Sequence, residues 1–294
     1  DALNRQTRIV DPTGATTQYQ YDAVGNRVAS VDANHNRTQY AYDALNRLVQ
    51  VTDVLGNSVS YGYDPVGNRT SVTDANHHTT TYTYDAANRL TDVTDPKGFT
   101  THTTYDEVGN RKTTTDANNA VTQFNYDELN RLNQVIYPDQ SISYTFDKVG
   151  NRATMTDKTG TTLYSYDALN RLLTVTNPDN QTVRYGYDSI GSRTSITYPS
   201  GKVVQYGYDS LNRLSSVLDG SATTQYSYDA AGNRSQTRYP NGVVTTFGYD
   251  RASRLNAIHA TSPVSGTFLH VDYVLDAVGN RLQMADNDGL TSYG

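Results

Sequence analysis

Two stretches decide the reading: Tyr42-Asp43-Ala44-Leu45-Asn46-Arg47 and, 21 residues on, Tyr63-Asp64-Pro65-Val66-Gly67-Asn68-Arg69. Between them Leu48-Val49-Gln50-Val51-Thr52 is a run of strand formers. Asp53-Val54-Leu55-Gly56-Asn57 then supplies turn residues. Residues 58–63 form a second run, with Tyr61 and Tyr63 on one face by the two-residue period. The next Asp-Pro-Val-Gly-Asn turns the chain again. The unit reads strand, turn, strand, turn, with strands of the ordinary length of about five residues. No stretch sustains a helical period.

Self-similarity at a fixed period decides the architecture before any local detail. The short motif, YDALNR-like, recurs as Tyr42-Asp43 to Arg47, Tyr84-Asp85 to Arg89, Tyr126-Asp127 to Arg131, Tyr166-Asp167 to Arg171, Tyr208-Asp209 to Arg213 and Tyr249-Asp250 to Arg254. The long motif, YDxVGNR-like, recurs as Tyr21-Asp22 to Arg27, Tyr63-Asp64 to Arg69, Tyr105-Asp106 to Arg111, Phe146-Asp147 to Arg152, Tyr187-Asp188 to Arg193 and Tyr228-Asp229 to Arg234. The two alternate without a break at spacings of 20 or 21, until a last step of 26 to the degenerate Leu275-Asp276. Asp1 starts a truncated copy. Residues 1–294 are therefore expected to be a single array of about fourteen repeats, grouped as hairpin pairs of about 42 residues. The fold class expected is all-β: tandem β-hairpin repeats forming a long antiparallel sheet that spirals into a shell or tube, since a sheet of some two dozen strands twists and curls.

The turn residues have mechanisms. Asp accepts backbone N–H groups two or three residues on, Gly supplies a positive φ or the extra residue of a bulge, and Asn tolerates the left-handed region. Arg, four or five residues after Asp, is expected to return to that carboxylate or to a neighbouring one. The one-residue difference between motifs is expected to change turn length, tilt alternate hairpins and so set the sheet's curvature. A second aromatic usually lies two residues before the motif aromatic, as in Tyr40 before Tyr42 and Tyr206 before Tyr208; Phe124 and Phe247 substitute, and Thr103 is an exception. These rings share a face and build an aromatic row whose hydroxyls are expected to stay wet.

Composition narrows the function. Only 36% of the 294 residues are hydrophobic, and 25 of those are Tyr, so the core is expected to be thin. The net charge is −6, and most charge belongs to the repeated Asp and Arg, which leaves no basic footprint for nucleic acid and no polybasic patch for lipid. Cysteine is absent, and no apolar run approaches the ~20 residues of a membrane span. The chain opens inside a repeat, so it is expected to be a segment of a longer protein, with targeting information elsewhere.

The motifs now carry a resemblance. YDALNRL and YDxxGNR at this spacing resemble the YD or RHS repeats of bacterial polymorphic toxins, Tc-toxin cocoon subunits, wall-associated repeat proteins and teneurins. The match runs from Asp1 to about Gln283. It implies a long antiparallel sheet spiralling into a hollow shell, which in toxin members encloses a cargo domain and is secreted or displayed at the cell surface. The family's DPxGL-type ending has no counterpart: residues 11–14 and 95–98 read DPxG but lie in repeat turns and lack the following Leu.

Irregularities mark candidate sites. Tyr137-Pro138, Tyr198-Pro199 and Tyr239-Pro240 replace Thr-Asp at the central turn; the simple reading is alternative turn chemistry, and the functional one is that Tyr137, Tyr198 and Tyr239 face a ligand. Residues 255–275 form the longest hairpin, with 261–266 as its expected loop. The histidines, His35, His77, His78, His102, His259 and His270, show no metal-ligand spacing and read as solvated loop residues. Residues 286–289 resemble half of a calcium loop without its distal Glu. No catalytic residue, cofactor or metal is expected. The functional expectation is a non-enzymatic shell segment of a secreted toxin-type protein enclosing or delivering a cargo domain. The alternative is an extracellular fibre or adhesive surface binding glycans or cells through its aromatic row. Further copies joining end to end are the other expected partners.

Overall fold

The computed structural model describes residues 1–293. It contains 28 strands, and no helix is found among the described residues. Each hairpin pairs antiparallel in the register that the alternation requires. In the strand Leu48–Thr52, Val51 stands opposite Val59, and in Ser58–Tyr63, Tyr61 stands opposite Val72 of Arg69–Thr73. The same aromatic–aliphatic pair recurs as Tyr40–Val51, Phe124–Val135, Tyr185–Ile196 and Phe247–Ile258. Such cross-strand pairs, each contributing about 0.2–1 kcal/mol, are what binds one hairpin to the next. A β-bulge recurs one residue before the motif aromatic, between Gly62 and Tyr63 and at the equivalent place in the other repeats.

The chain divides into two compact units. One is Thr38–Val183, a meander in which each strand pairs with the next in sequence. The other combines Asp1–Arg37 with Arg184–Gly294. Its first segment holds the strands Arg8–Val10, Thr16–Tyr21 and Arg27–Val31; in its second, successive strands again pair with the next in sequence as far as Gly289–Ser292.

The sheet buries little apolar surface. Val135, Ile196, Val204 and Ala260 are the aliphatic residues removed from water on the aromatic face, and among the described residues no large side chain is fully buried. The tyrosines themselves are half-buried.

The variation of the repeat spacing between 20 and 21 has a simple origin. A five-residue central turn, in which Asp53 N–H donates to the Asn57 carbonyl, accompanies the 21-residue spacing. The spacing falls to 20 where the central turn is tighter: at Tyr137, whose N–H donates to the Gln140 carbonyl, and where Asp157 faces Gly160 and Asp219 faces Ala222. In the long hairpin the strands Leu255–Ser262 and Gly266–Leu275 leave only residues 263–265 as the loop, shorter than the 261–266 expected.

Candidate functional site

Each motif turn is built on its Asp. In the short form, Asp43 Oδ1 accepts the N–H groups of Leu45 and Arg47, while Asn46 takes φ 60°. In the long form, Asp22 Oδ1 accepts those of Val24 and Asn26, while Gly25 takes φ 101°. The closing bonds are also the same, Asp43 N–H to Arg47 O and Asp22 N–H to Asn26 O. The two turns therefore have equal length, which corrects the expectation that one is longer and tilts its hairpin. The motif letters mislead because NR is shifted by one place. Asn46 occupies the position of Gly25, and Arg47 that of Asn26.

That shift divides the arginines into two jobs. In the short form Arg47 Nε lies 2.7 Å from Asp43 Oδ2, and the same ion pair recurs at Arg5, Arg89, Arg131, Arg171, Arg213 and Arg254. Arg47 Nη1 also donates to the Asp64 carbonyl of the next motif, 2.7 Å away, and the guanidinium covers the Tyr63 ring at 4.9 Å. In the long form the Asp is capped by Asn instead, Asn68 Nδ2 to Asp64 Oδ2 at 2.9 Å. Arg69 is then released to lie over the rings of Tyr61 and Tyr82, at 6.0 and 5.4 Å. Arg152 sits likewise between Tyr144 and Tyr164. Along the turn row, Asn68 Nδ2 donates to Asn88 Oδ1 and Asn110 Nδ2 to Asn130 Oδ1, linking a long turn to the short turn after it.

The motif tyrosines close the unit. Tyr63 Oη donates to the Leu48 carbonyl at 2.8 Å, and Tyr84, Tyr105, Tyr126, Tyr208, Tyr228 and Tyr249 repeat the bond. These hydroxyls are spent on backbone carbonyls rather than left wet, as the sequence suggested. The carboxylates are correspondingly stabilised in their charged form. The backbone N–H of Arg47 leads in holding Asp43 below its ordinary 3.8, partly opposed by desolvation. For Asp22 and Asp64 desolvation is the largest influence and raises the value, but bonds from Asn and backbone N–H groups outweigh it and the net shift is downward.

The three candidate ligand-facing tyrosines each sit in a different central turn. Tyr137, Tyr198 and Tyr239 take the Asp position of separate central turns and are 38%, 41% and 42% exposed. Tyr198 and Tyr239 are separated by the hairpin closed at Asp219 and Ala222, and Lys202 next to the first is paired to Asp219 at 2.9 Å. The residue at the tip of the motif turn is more exposed: Val24, Leu45, Val66, Leu129 and Leu211 form an apolar series along this row, with Val66 at 73%.

Within the unit that joins the two ends of the array, these rows meet. Asn34, in a central turn near the start, donates through Nδ2 to Asp276 Oδ2, 2.7 Å away in the last motif turn. Burial pushes the Asp276 carboxyl up, but the bonds from Asn34 and Asn280 outweigh it and hold it down to about 2. A groove of about 490 Å³ lies beside this contact, bounded by Thr13, Asp32, His35, Arg254 and Leu275.

The histidines are not one class. His35 and His77 occupy turn positions at φ 66° and 63°, and His78 pairs with Asp74 in the same turn. His102, His259 and His270 are strand residues with carboxylate partners, which corrects the loop reading for them. His259 and His270 stand opposite each other, their rings stacked 4.3 Å apart, and Asp272 reaches both. Their spacing gave no signal because a bulge between Ala260 and Thr261 sets the register: counted back regularly from Ser262–Gly266, His259 would face Leu269. Asp286 uses its Oδ1 on the N–H groups of Asp288 and Gly289, an ordinary turn.

The RHS Repeat family model matches residues 1–37, 23–59, 42–79, 63–100, 105–142, 166–203, 187–224, 208–244 and 228–267. No curated protein sequence matches the chain. Among solved structures, the crystal structure of TcdB2-TccC3 superposes at a TM-score of 0.76 over 94% of this chain, with 16% identity. TcdB2-TccC3-Cdc42 gives the same values, and the Photorhabdus luminescens Tc holotoxin pore gives 0.67 with the same coverage and identity. At that identity the likeness is one of fold, and the chain spans 18% of the length of those chains. The family model covers well over half of the sequence, and the YD turns described above are its repeat: the chain belongs to the RHS-repeat family.

Proposed function

We propose that this chain is a length of wall in a secreted bacterial toxin-type RHS shell, a non-enzymatic scaffold that encloses a cargo domain. The observation that carries this reading is the seating of Asn34 in a central turn on Asp276 in a motif turn, 242 residues along the chain. Central turns carry amides such as that of Asn34, and each motif turn carries an Asp carboxylate able to accept from them, so the two rows are polar complements. A sheet wound back upon itself could repeat that contact at every pass. It would also cover the exposed Val and Leu tips, which otherwise form an unusually regular apolar series for a surface. The fold likeness to TcdB2-TccC3 supports the same reading.

The fibre or adhesin alternative requires aromatic faces open to a sugar ring. Guanidinium groups lie over many of those rings here, among them Tyr21, Tyr63, Tyr105 and Tyr228. Electron microscopy of the full-length native protein tests the choice. A closed hollow particle with interior density is expected. A filament or open tube would overturn the enclosing role and return attention to an adhesive surface.

A further inference from the structure

The hairpin of Leu255–Ser262 and Gly266–Leu275 breaks the repeat in length and in register. Central hairpins such as Leu48–Thr52 with Ser58–Tyr63 run without a bulge, whereas this one carries the bulge that brings His259 opposite His270. The consequence is a cluster that the structural role of the repeat does not use. His259 Nε2 lies 2.8 Å from Asp272 Oδ1, and His270 Nε2 lies 3.0 Å from Asp272 Oδ2. One donor atom from each residue falls within 4.8 Å of the other two.

We propose that His259, His270 and Asp272 form a binding site for a divalent cation of the zinc class. Two imidazoles and one carboxylate are a borderline N/O donor set suited to Zn²⁺, which binds such atoms at about 2.0–2.2 Å and completes its shell with water. Both imidazoles present Nε2 toward the same carboxylate, so the donors already converge. All three side chains are partly exposed, so water and cation have access and side-chain rotation alone brings the donors onto a metal. Each Nε2 must give up its hydrogen to bind. A neutral imidazole does so by carrying the proton on Nδ1 instead, and an imidazolium by releasing it to solvent. The cation then clips the two long strands together beside the bulge, where the Thr–Ser or Thr–Thr pair of ordinary central hairpins, such as Thr52–Ser58, gives way to a pair of histidines.

Calorimetric titration of tag-free protein with Zn²⁺ alone tests this, followed by Co²⁺ absorption. One equivalent of Zn²⁺ is expected, with Co²⁺ showing d–d bands of N/O ligation. His259→Ala and Asp272→Asn should each weaken binding by about tenfold or more, since even an outer partner of a metal ligand costs that much. His78→Ala, which alters a turn pair elsewhere, should leave it unchanged. If the variants fail to fold, the imidazole NMR signals of His259 and His270 in the unaltered protein give the answer. Absence of Zn²⁺ uptake, or uptake that leaves those signals unmoved, overturns the site. Neither result depends on whether the chain forms a shell.

Discussion

At the residue scale, the turns are governed by φ and by one carboxylate. His77 adopts φ 63° and is exposed, so a β-branched residue there should be costly and glycine tolerated. His77→Val is expected to lower stability by about 1–2 kcal/mol, while His77→Gly is neutral or stabilising. Urea denaturation monitored by tyrosine fluorescence checks both. The motif tyrosine makes a second prediction. Tyr63→Phe keeps the ring under Arg47 but deletes the bond to the Leu48 carbonyl, and should cost about 1 kcal/mol in the same assay. The Asp, Gly and Asn roles were legible in sequence, because each follows from local backbone chemistry. The fate of Arg was only half legible. Its return to the preceding Asp was foreseen, but that it lies over an aromatic ring in both motif forms, and gives up the Asp where Asn occupies the last place of the turn, was not.

At the element scale, equal turn length has a consequence. Replacing Asn46→Gly and Arg47→Asn should convert a short turn toward the long type without moving the register. The expected result is a folded protein with unchanged cross-strand contacts between Tyr40 and Val51, measured as NMR nuclear Overhauser effects. A shifted register would show that the two turns are not equivalent. The same turns predict the response to acid. Asp43, Asp85, Asp127 and Asp209 are all held below 3.8, first by the backbone N–H of the Arg four residues on and then by its side chain. A carboxylate depressed in the folded state contributes stability above its unfolded value, and that contribution is lost as pH falls through the folded value. Stability should therefore be flat above pH 3.8 as far as these groups are concerned, and fall progressively below it. Circular dichroism melts across an acid series check the slope.

At the scale of the whole molecule, the terminal strands Arg8–Val10 and Gly289–Ser292 are exposed along their length. Unpaired strand edges recruit other strands. The isolated chain is expected to self-associate with rising concentration, in sedimentation velocity experiments, through these ends; a monomer at all concentrations would contradict this. What the sequence alone determined was the all-β hairpin architecture, because a period-two alternation and Asp-based turns are read within a few residues. Only the tertiary structure decided which rings each arginine covers, why His259 faces His270, and that Asn34 reaches Asp276. Each of these depends on register or on contact between residues remote in the chain. A one-residue bulge reassigns every partner beyond it, and closure over 242 residues leaves no local mark in the sequence.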